Sequence, residues 1–314
     1  MTAVIHILNA EDAKHCETCF LSLSAAWKDL LEWRIGGAVV VGSAIGVWLL
    51  TTVGINILLA LTRQQVRDRE SLELDLAAAR EVQMRLLPNA APVVAGFELA
   101  GTCAPAHEVG GDYFDFITLP DGAAVTVADV SGKGLSAAML MTLVKGALKS
   151  TLDGSSDLAA VASRLNTTVN DSAQSSRFIS LALARLHSSK STATILRAGD
   201  NAPLHVSAAG DVRWLNTPGM ALGLAAKAPF EKSCSTEEIA LNRGDLLVLY
   251  SDGLTEAMND RSEEFGDERL AAAVSSHRAG SAADIQSAVL EEVARFRNGT
   301  APNDDTTRVV VKAV

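Results

Sequence analysis

Four short acidic motifs constrain the fold of this chain most strongly, because they lie far apart in sequence and share one pattern. They read GGDYFDF (residues 110–116), VADVSGKG (127–134), YSDGLTEA (250–257) and NDDTT (303–307). Each places an aspartate at the end of an apolar, strand-like run or in the turn beside one. Burying a lone carboxylate costs several kcal/mol, so we expect the fold to bring these carboxylates to a common cation. Oxygen donors favour Mg²⁺ or Mn²⁺ over zinc.

Taken singly, each motif also has a purely structural explanation. An Asp-Gly pair such as the one at residue 252 is a common turn sequence. Asp129 is harder to explain in this way, because it follows an apolar run that is typical of a buried strand. Asp304 and Asp305 are adjacent and repel each other unless a positive charge neutralises them. The combination of motifs, and no single one, indicates a metal site.

The order of the four motifs resembles the metal-dependent PPM-type (type 2C) serine/threonine phosphatases, and within them the bacterial SpoIIE/RsbU-like branch. The resemblance covers residues 79–314, beginning with AREVQMRLLP (79–88) and including a weaker stretch, FGDERL (265–270). It implies an α+β fold in which an antiparallel β-sandwich is flanked by helices and carries its metals at one end.

The resemblance also implies which residues bind the metals. Two ions, Mn²⁺ or Mg²⁺, would be held by Asp112, Asp129, the backbone carbonyl of Val130, Asp252 and Asp304. The ions would activate a water molecule for in-line attack on phosphorus, so that no protein nucleophile is needed. We expect Asp115 and Asp305 to have supporting roles, because neighbouring side chains on a strand point to opposite faces.

The chain departs from the family pattern at three points. The histidine that follows the second-motif aspartate in eukaryotic relatives is missing, so the general acid stays open between Ser131, Lys133 and a metal-bound water. No arginine matches the residue that clamps phosphate in those relatives. Asp200 stands where the bacterial branch usually has histidine, at a position that is not a metal ligand in the family.

A second strong feature is the uncharged apolar run at residues 35–61. It is long enough to cross a ~30 Å hydrocarbon core, whereas a soluble helix of this length would keep a polar face. It starts too late and is too long for a cleaved signal peptide. We therefore predict a single span of the cell membrane. The basic residues near it are Lys28 and Arg34 before the run and Arg63, Arg67, Arg69 and Arg80 after it, which places the C-terminal domain in the cytoplasm.

Two patterns predict a parallel homodimer. Ala38, Gly42 and Gly46 recur at intervals of four within the span, and small residues on one face let two helices approach closely. A short heptad repeat follows, at Leu72, Leu76, Ala79, Gln83 and Leu86. Pro88 is expected to end this linker helix. A movement of the linker could then set the geometry of the metal site.

Composition excludes other classes of function. The chain has 37 acidic and 27 basic residues, a net charge of −10, and no basic patch, so nucleic acid is not expected as a partner. No P-loop or dinucleotide fingerprint is present. Cys103 and Cys234 are expected to be buried apolar residues. For Cys16 and Cys19 a disulfide, a metal or redox role, and no function all remain open.

The predicted domain organisation has four parts. Residues 1–34 form a short extracytoplasmic segment, 35–61 the membrane span, 62–88 the linker helix and 89–314 the phosphatase domain. Predicted strands lie at 97–102, 123–129, 178–186, 193–197, 246–250 and 308–311. Predicted helices lie at 136–152, 158–169, 267–276 and 282–296, and hairpin turns at 187–190 and 208–211.

The predicted function is hydrolysis of phosphoserine or phosphothreonine on a protein. The resemblance implies a small STAS-type anti-sigma antagonist as the substrate. The alternative is a catalytically silent scaffold or receptor that keeps the fold for partner binding, although all four metal aspartates are present. A calcium-binding module is disfavoured, because no single loop carries the Asp-x-Asp ligand spacing.

Overall fold

A computed structural model of the chain describes residues 34–106, 109–153, 155, 157–172, 177–199 and 201–314. The chain divides between Leu72 and Glu73 into two compact units. Several sequence expectations fall outside the described residues: those on residues 1–33, which include Cys16, Cys19 and Lys28, and the one on Asp200.

Helix α1 (Arg34–Leu86) contains the predicted membrane span. Its apolar side chains are exposed over Val41 to Leu61, and it is long and apolar enough to cross a membrane, by length and composition alone. Its polar side chains bond within the helix. The hydroxyls of Thr51 and Thr52 donate to the carbonyl of Trp48, and the amide of Asn56 donates to the carbonyl of Thr52. Such internal pairing is what an apolar surrounding requires.

The second unit contains two five-stranded antiparallel sheets. Sheet A has the order β1-β10-β9-β6-β7 and sheet B the order β2-β3-β4-β5-β8. The strands are β1 (Phe97–Ala104), β2 (Tyr113–Leu119), β3 (Gly122–Val130), β4 (Ile179–His187), β5 (Thr192–Ala198), β6 (Leu204–Val206), β7 (Val212–Trp214), β8 (Thr236–Ala240), β9 (Leu246–Tyr250) and β10 (Thr306–Ala313).

Alternating apolar residues explain why the sheets stack and why helices cover them. On β9, Leu247 and Leu249 join the core shared with sheet B, while Leu246 and Val248 join a second core. That second core lies beneath α6 (Gly266–Ser276) and α7 (Ala282–Arg297). Because successive side chains on a strand point to opposite faces, one strand serves both cores.

The remaining helices are α2 (Leu135–Asp153), α3 (Leu158–Ser172), α4 (Lys227–Ser233) and α5 (Asp252–Thr255). The apolar faces of α2 and α3 belong to the core of sheet B, with Met141, Val144 and Leu165 fully buried. The second unit is therefore an antiparallel sandwich flanked by helices, and the predicted α+β fold class is confirmed.

Every predicted strand and helix is present, but four strands were not predicted. β6 and β7 have three residues each, too few for a period-two pattern to be recognised. β8 reads TEEIA and lies at the edge of its sheet, where glutamates can face water. β2 begins directly after Asp112, whose motif opens with two glycines that are typical of a turn. Both predicted hairpin turns join paired strands, β4 to β5 and β6 to β7.

The linker helix makes a contact that the heptad pattern did not anticipate. The helix ends at Leu86, just before Pro88 as expected, but Gln83 is buried within the chain itself. Its Nε2 donates to the carbonyl of Gly110 at 2.7 Å, and its Oε1 accepts from the amide of Gly110 at 3.2 Å. Gln83, the polar residue of the heptad repeat, thus forms hydrogen bonds within the chain to the first acidic motif.

Candidate metal centre

Strand register brings the first two predicted ligands together. Tyr113 of β2 pairs with Ala128 of β3, so Asp112 and Asp129 occupy the next position at the same end of sheet B. Asp112 is buried, with 4% of its surface exposed, and electrostatic repulsion couples it to Asp129. The sequence could not show this pairing directly, because it depends on the turn between the two strands.

Sheet A delivers the other two aspartates to the same cluster. Tyr250, the last residue of β9, pairs with Arg308 near the start of β10. Asp252, the first residue of α5, lies two positions after β9, and Asp304 lies two positions before β10. Both aspartates are therefore at the same end of sheet A. The charges of Asp252 and Asp304 both help to raise the pKa of Asp129, so carboxylates from the two sheets lie near one another.

Burial and mutual repulsion make these carboxylates hard to ionise. Burial, followed by the charge of Asp129, holds the pKa of Asp112 well above its usual range. Burial and then Asp252 raise the pKa of Asp129 to about 6. Burial and then Asp304 raise the pKa of Asp252. A cation placed among these groups would lower the pKa of all three carboxyl groups.

A buried serine that the sequence did not reveal holds Asp112 in place. Ser251 is fully buried, and its hydroxyl donates to Oδ2 of Asp112 at 2.7 Å. The same Oγ accepts from the backbone amide of Thr307 at 3.0 Å. Ser251 therefore ties the first, third and fourth motifs together. Only its position beside Asp252 could have drawn attention to it.

Asp305 and Asp115 each accept hydrogen bonds that join separate segments near the acidic motifs. Asp305 accepts from the backbone amides of Ala106 and Gly111, at 2.8 and 3.0 Å, and so fixes the loop that carries Asp112. Asp115 accepts from Tyr113 Oη at 2.7 Å and from Lys145 Nζ at 2.5 Å. Asp115 therefore joins β2 to α2.

Close backbone approach explains the glycines of the first motif. A Cβ at Gly111 would lie 2.8 Å from the carbonyl oxygen of Val130, and a Cβ at Gly110 would collide with the Asp305 carboxylate. A side chain at Gly111 would push the first and second motifs apart, and one at Gly110 would push the first and fourth motifs apart. The Val130 carbonyl, a predicted ligand, therefore lies beside the loop that carries Asp112.

The loop after Asp129 carries two of the three candidates for the general acid. Lys133 Nζ lies 3.2 Å from Oδ2 of Asp304 and donates to the carbonyl of Asn303 at 3.0 Å. Ser131 Oγ accepts from the amide of Phe178 at 2.8 Å. Lys133 therefore reaches the metal centre, whereas Ser131 anchors the loop to β4.

The donor set fits hard divalent cations in charge and chemistry. Its groups are carboxylates and a backbone carbonyl, and burial together with mutual repulsion disfavours their negative charge in the absence of a cation. Among the described residues, however, no three His, Cys, Asp or Glu side chains stand in an arrangement ready to hold an ion. Repulsion spreads like charges apart, and side-chain rotation toward a cation would draw them together. The metal ligands accordingly remain a prediction.

Two facing antiparallel sheets with acidic residues from both at one end define the class: a phosphatase domain of the PPM, or PP2C, type. Residues 120–314 match the family described as Stage II sporulation protein E (SpoIIE). The chain belongs to the SpoIIE family.

Individual relatives agree with this assignment. The chain is similar to Phosphoserine phosphatase RsbU of Bacillus subtilis, with 26% identity over 247 residues, which cover 78% of this chain and 71% of RsbU. Its fold is similar to that of the SiaA-PP2C domain of Pseudomonas aeruginosa, with a TM-score of 0.68, 18% identity, and coverage of 78% and 98%. It is also similar to the RsbU and RsbW domains of Rv1364c from Mycobacterium tuberculosis, with a TM-score of 0.61, 24% identity, and coverage of 73% and 63%.

Proposed function

We propose that this chain is a membrane-anchored, metal-dependent phosphatase that hydrolyses phosphoserine or phosphothreonine on a regulatory protein. The observation that carries the proposal is the convergence of Asp112, Asp129, Asp252 and Asp304 from four strand ends of two sheets. Family membership and the name of the relative RsbU support the same reaction.

In this proposal the protein positions two divalent cations and the substrate. Asp112, Asp129, Asp252, Asp304 and the Val130 carbonyl hold the ions, Mn²⁺ or Mg²⁺. When bound, such ions activate water and neutralise charge that develops on a phosphoryl group. Ser251 and Asp305 fix the loops that carry the ligands. Lys133, which lies beside Asp304, is the side chain best placed to donate a proton to the leaving group.

The test of the activity measures phosphate release by the full chain in detergent from a serine-phosphorylated STAS-domain protein. We expect release with Mn²⁺ or Mg²⁺, none with EDTA, and a loss of at least about 100-fold in the Asp112→Asn, Asp252→Asn double variant, because metal ions supply several kcal/mol of transition-state stabilisation. Asp153→Asn, an exposed change at the end of α2, is the control. No release by a folded, metal-bound protein would favour the silent scaffold.

The choice of partner follows from the relatives. Rv1364c carries RsbU and RsbW domains in one chain, and this chain is similar to it in fold. We therefore propose that this chain, too, acts on a regulatory partner in a partner-switching pathway. The substrate would be a STAS-type phosphoprotein. Equal activity toward the phosphorylated STAS protein and an unrelated phosphoserine peptide would contradict this specificity.

The membrane anchor is proposed from α1. Its exposed apolar residues match a span, and Arg63, Arg67 and Arg69 follow it, which favours a cytoplasmic catalytic domain. Membranes from expressing cells should retain the protein after a high-salt or carbonate wash. Protease added outside intact cells should leave residues 89–314 uncut; cleavage there would reverse the orientation.

The homodimer also remains a proposal. Leu72 is exposed, Leu76 and Ala79 are partly buried, and no described residue packs against Gly42 or Gly46. A second copy of the chain could therefore pack along α1 at these positions. Replacing Leu76 and Ala79 with glutamate should dissociate the dimer and change activity; unchanged mass and rate would exclude a role for the linker in dimerisation.

A further inference from the structure

Arg177 lies directly before β4, and its guanidinium packs on the backbone of Gly132. A Cβ at Gly132 would lie 3.3 Å from Nη1 and 3.7 Å from Cζ of Arg177. Two backbone contacts fix this arrangement: the Ser131 amide donates to the Phe178 carbonyl at 3.0 Å, and the Phe178 amide donates to Ser131 Oγ at 2.8 Å. The cation therefore sits on the loop that begins directly after Asp129 and Val130.

One nitrogen of this guanidinium has no hydrogen-bond acceptor within the described part of the chain. Nη1 of Arg177 is shielded from solvent and has no acceptor among the described residues. Leaving a buried charged donor without an acceptor is costly. Lys133, on the same loop, differs because it bonds to Asn303 and Asp304. Among the described residues, Arg177 is thus a cation beside this loop with a donor that no acceptor uses.

The charge of the proposed reaction indicates what this donor binds. Four aspartates and two divalent cations balance each other, whereas a phosphomonoester brings up to two further negative charges. A guanidinium presents a planar fork of donors that matches two oxygens of a phosphate. Gly132 has a φ of 95° and no side chain, which leaves space for the guanidinium of Arg177. A side chain at residue 132 would displace that guanidinium.

We infer that Arg177 binds the phosphate group of the substrate, donating from its guanidinium to phosphate oxygens while the metal centre acts on phosphorus. This inference rests on the proposed function and names a residue that the four acidic motifs do not contain. The sequence alone did not identify a phosphate-binding arginine. Arg177, just before β4, would fill that role.

The test uses the full chain in detergent with Mg²⁺ and compares Arg177→Met, Arg177→Lys and Arg164→Met. Arg164 is an exposed arginine on α3 and serves as the matched control. Calorimetry measures the affinity for inorganic phosphate and, separately, for Mg²⁺. Steady-state kinetics on the serine-phosphorylated STAS protein give KM and kcat.

For Arg177→Met we expect phosphate affinity to fall, and KM to rise, by about 10- to 100-fold, the range for losing a hydrogen bond to a charged group. Mg²⁺ affinity should stay within twofold, because Arg177 is not a predicted ligand. Arg177→Lys keeps the charge without the fork and should be intermediate, which also guards against a folding defect in the Met variant. Arg164→Met should match the wild type.

Phosphate affinity and KM within twofold of wild type in both Arg177 variants would overturn the inference. An equal loss of Mg²⁺ affinity would overturn it as well, since the residue would then be structural. Failure of the proposed function looks different: wild-type protein would bind phosphate through Arg177 yet release none from the phosphoprotein. That result would support the phosphate site and contradict the phosphatase.

Discussion

At the scale of single residues, Ser251 supports the acidic cluster from a position outside the proposed ligand set. Its hydroxyl holds Asp112 and receives the amide of Thr307. We predict that Ser251→Ala weakens Mg²⁺ or Mn²⁺ affinity by about 10- to 100-fold, as is usual when a partner that orients a ligand is lost. Calorimetric titration checks this, with exposed Ser150→Ala as the control. Equal metal affinities in the two variants would mean that Ser251 does not support metal binding.

Arg308 presents the opposite case, a buried cation with no hydrogen-bond acceptor among the described residues. It is fully buried on β10, and Nε, Nη1 and Nη2 have no acceptor among the described residues. Burial lowers its pKa to about 10. We predict that Arg308→Met raises the free energy of unfolding by about 1–3 kcal/mol, because apolar groups often replace buried charge with a gain in stability.

Urea denaturation measures that change, with Arg243→Met as the control. Arg243 is exposed, and its substitution should stay within about 0.5 kcal/mol of the wild type. A loss of stability on replacing Arg308 would instead indicate that the guanidinium has an anionic partner in solution.

At the scale of elements, α1 is joined to the first acidic motif by one amide side chain. Gln83 both donates to and accepts from the backbone of Gly110. Gln83→Leu would leave two buried backbone groups without partners, so we predict a loss of about 1–3 kcal/mol in unfolding free energy. Urea denaturation tests this against Val82→Leu, a change at an exposed position of the same helix. Equal stabilities would mean that water replaces the glutamine.

The elements also show what the sequence could and could not predict. Strands β3, β9 and β10 are continuous apolar runs buried on both faces, and their aspartates were recognisable at the ends. β6 and β7 are too short to show a pattern, and β8 has the composition of a loop. The supporting residues were harder still. Ser251 and Arg177 gain their positions only from strand register and loop contacts between distant segments.

At the scale of the whole molecule, the acidic cluster makes stability depend on pH and on metal. The pKa of Asp112 is raised and that of Asp129 is about 6, whereas aspartate in an unfolded chain titrates near ~3.9. The folded, metal-free protein therefore binds more protons than the unfolded chain between these values. We predict that its stability falls as pH rises from about 4 to 6, and that Mg²⁺ restores it.

Thermal melts in EDTA and in Mg²⁺ across this pH range provide the measurement. Asp129→Asn should show a flatter decline in EDTA, whereas the exposed Asp153→Asn should follow the wild type. Identical pH profiles for wild type and Asp129→Asn would mean that Asp129 does not titrate in this range. A melting temperature that Mg²⁺ leaves unchanged would count against the metal centre itself.

The position of β10 in sheet A has a consequence for how the protein is made. β10 lies between β1 and β9, although it is the last strand along the chain. During synthesis β1 would therefore lack its partner in sheet A, and β9 would be paired with β6 alone, until the strand that joins them is translated. Long-range pairing of this kind is slow and leaves edges open to aggregation. Sheet A would thus be completed only after residues 306–313 had left the exit tunnel, so the end of the sheet that carries Asp252 and Asp304 would form late.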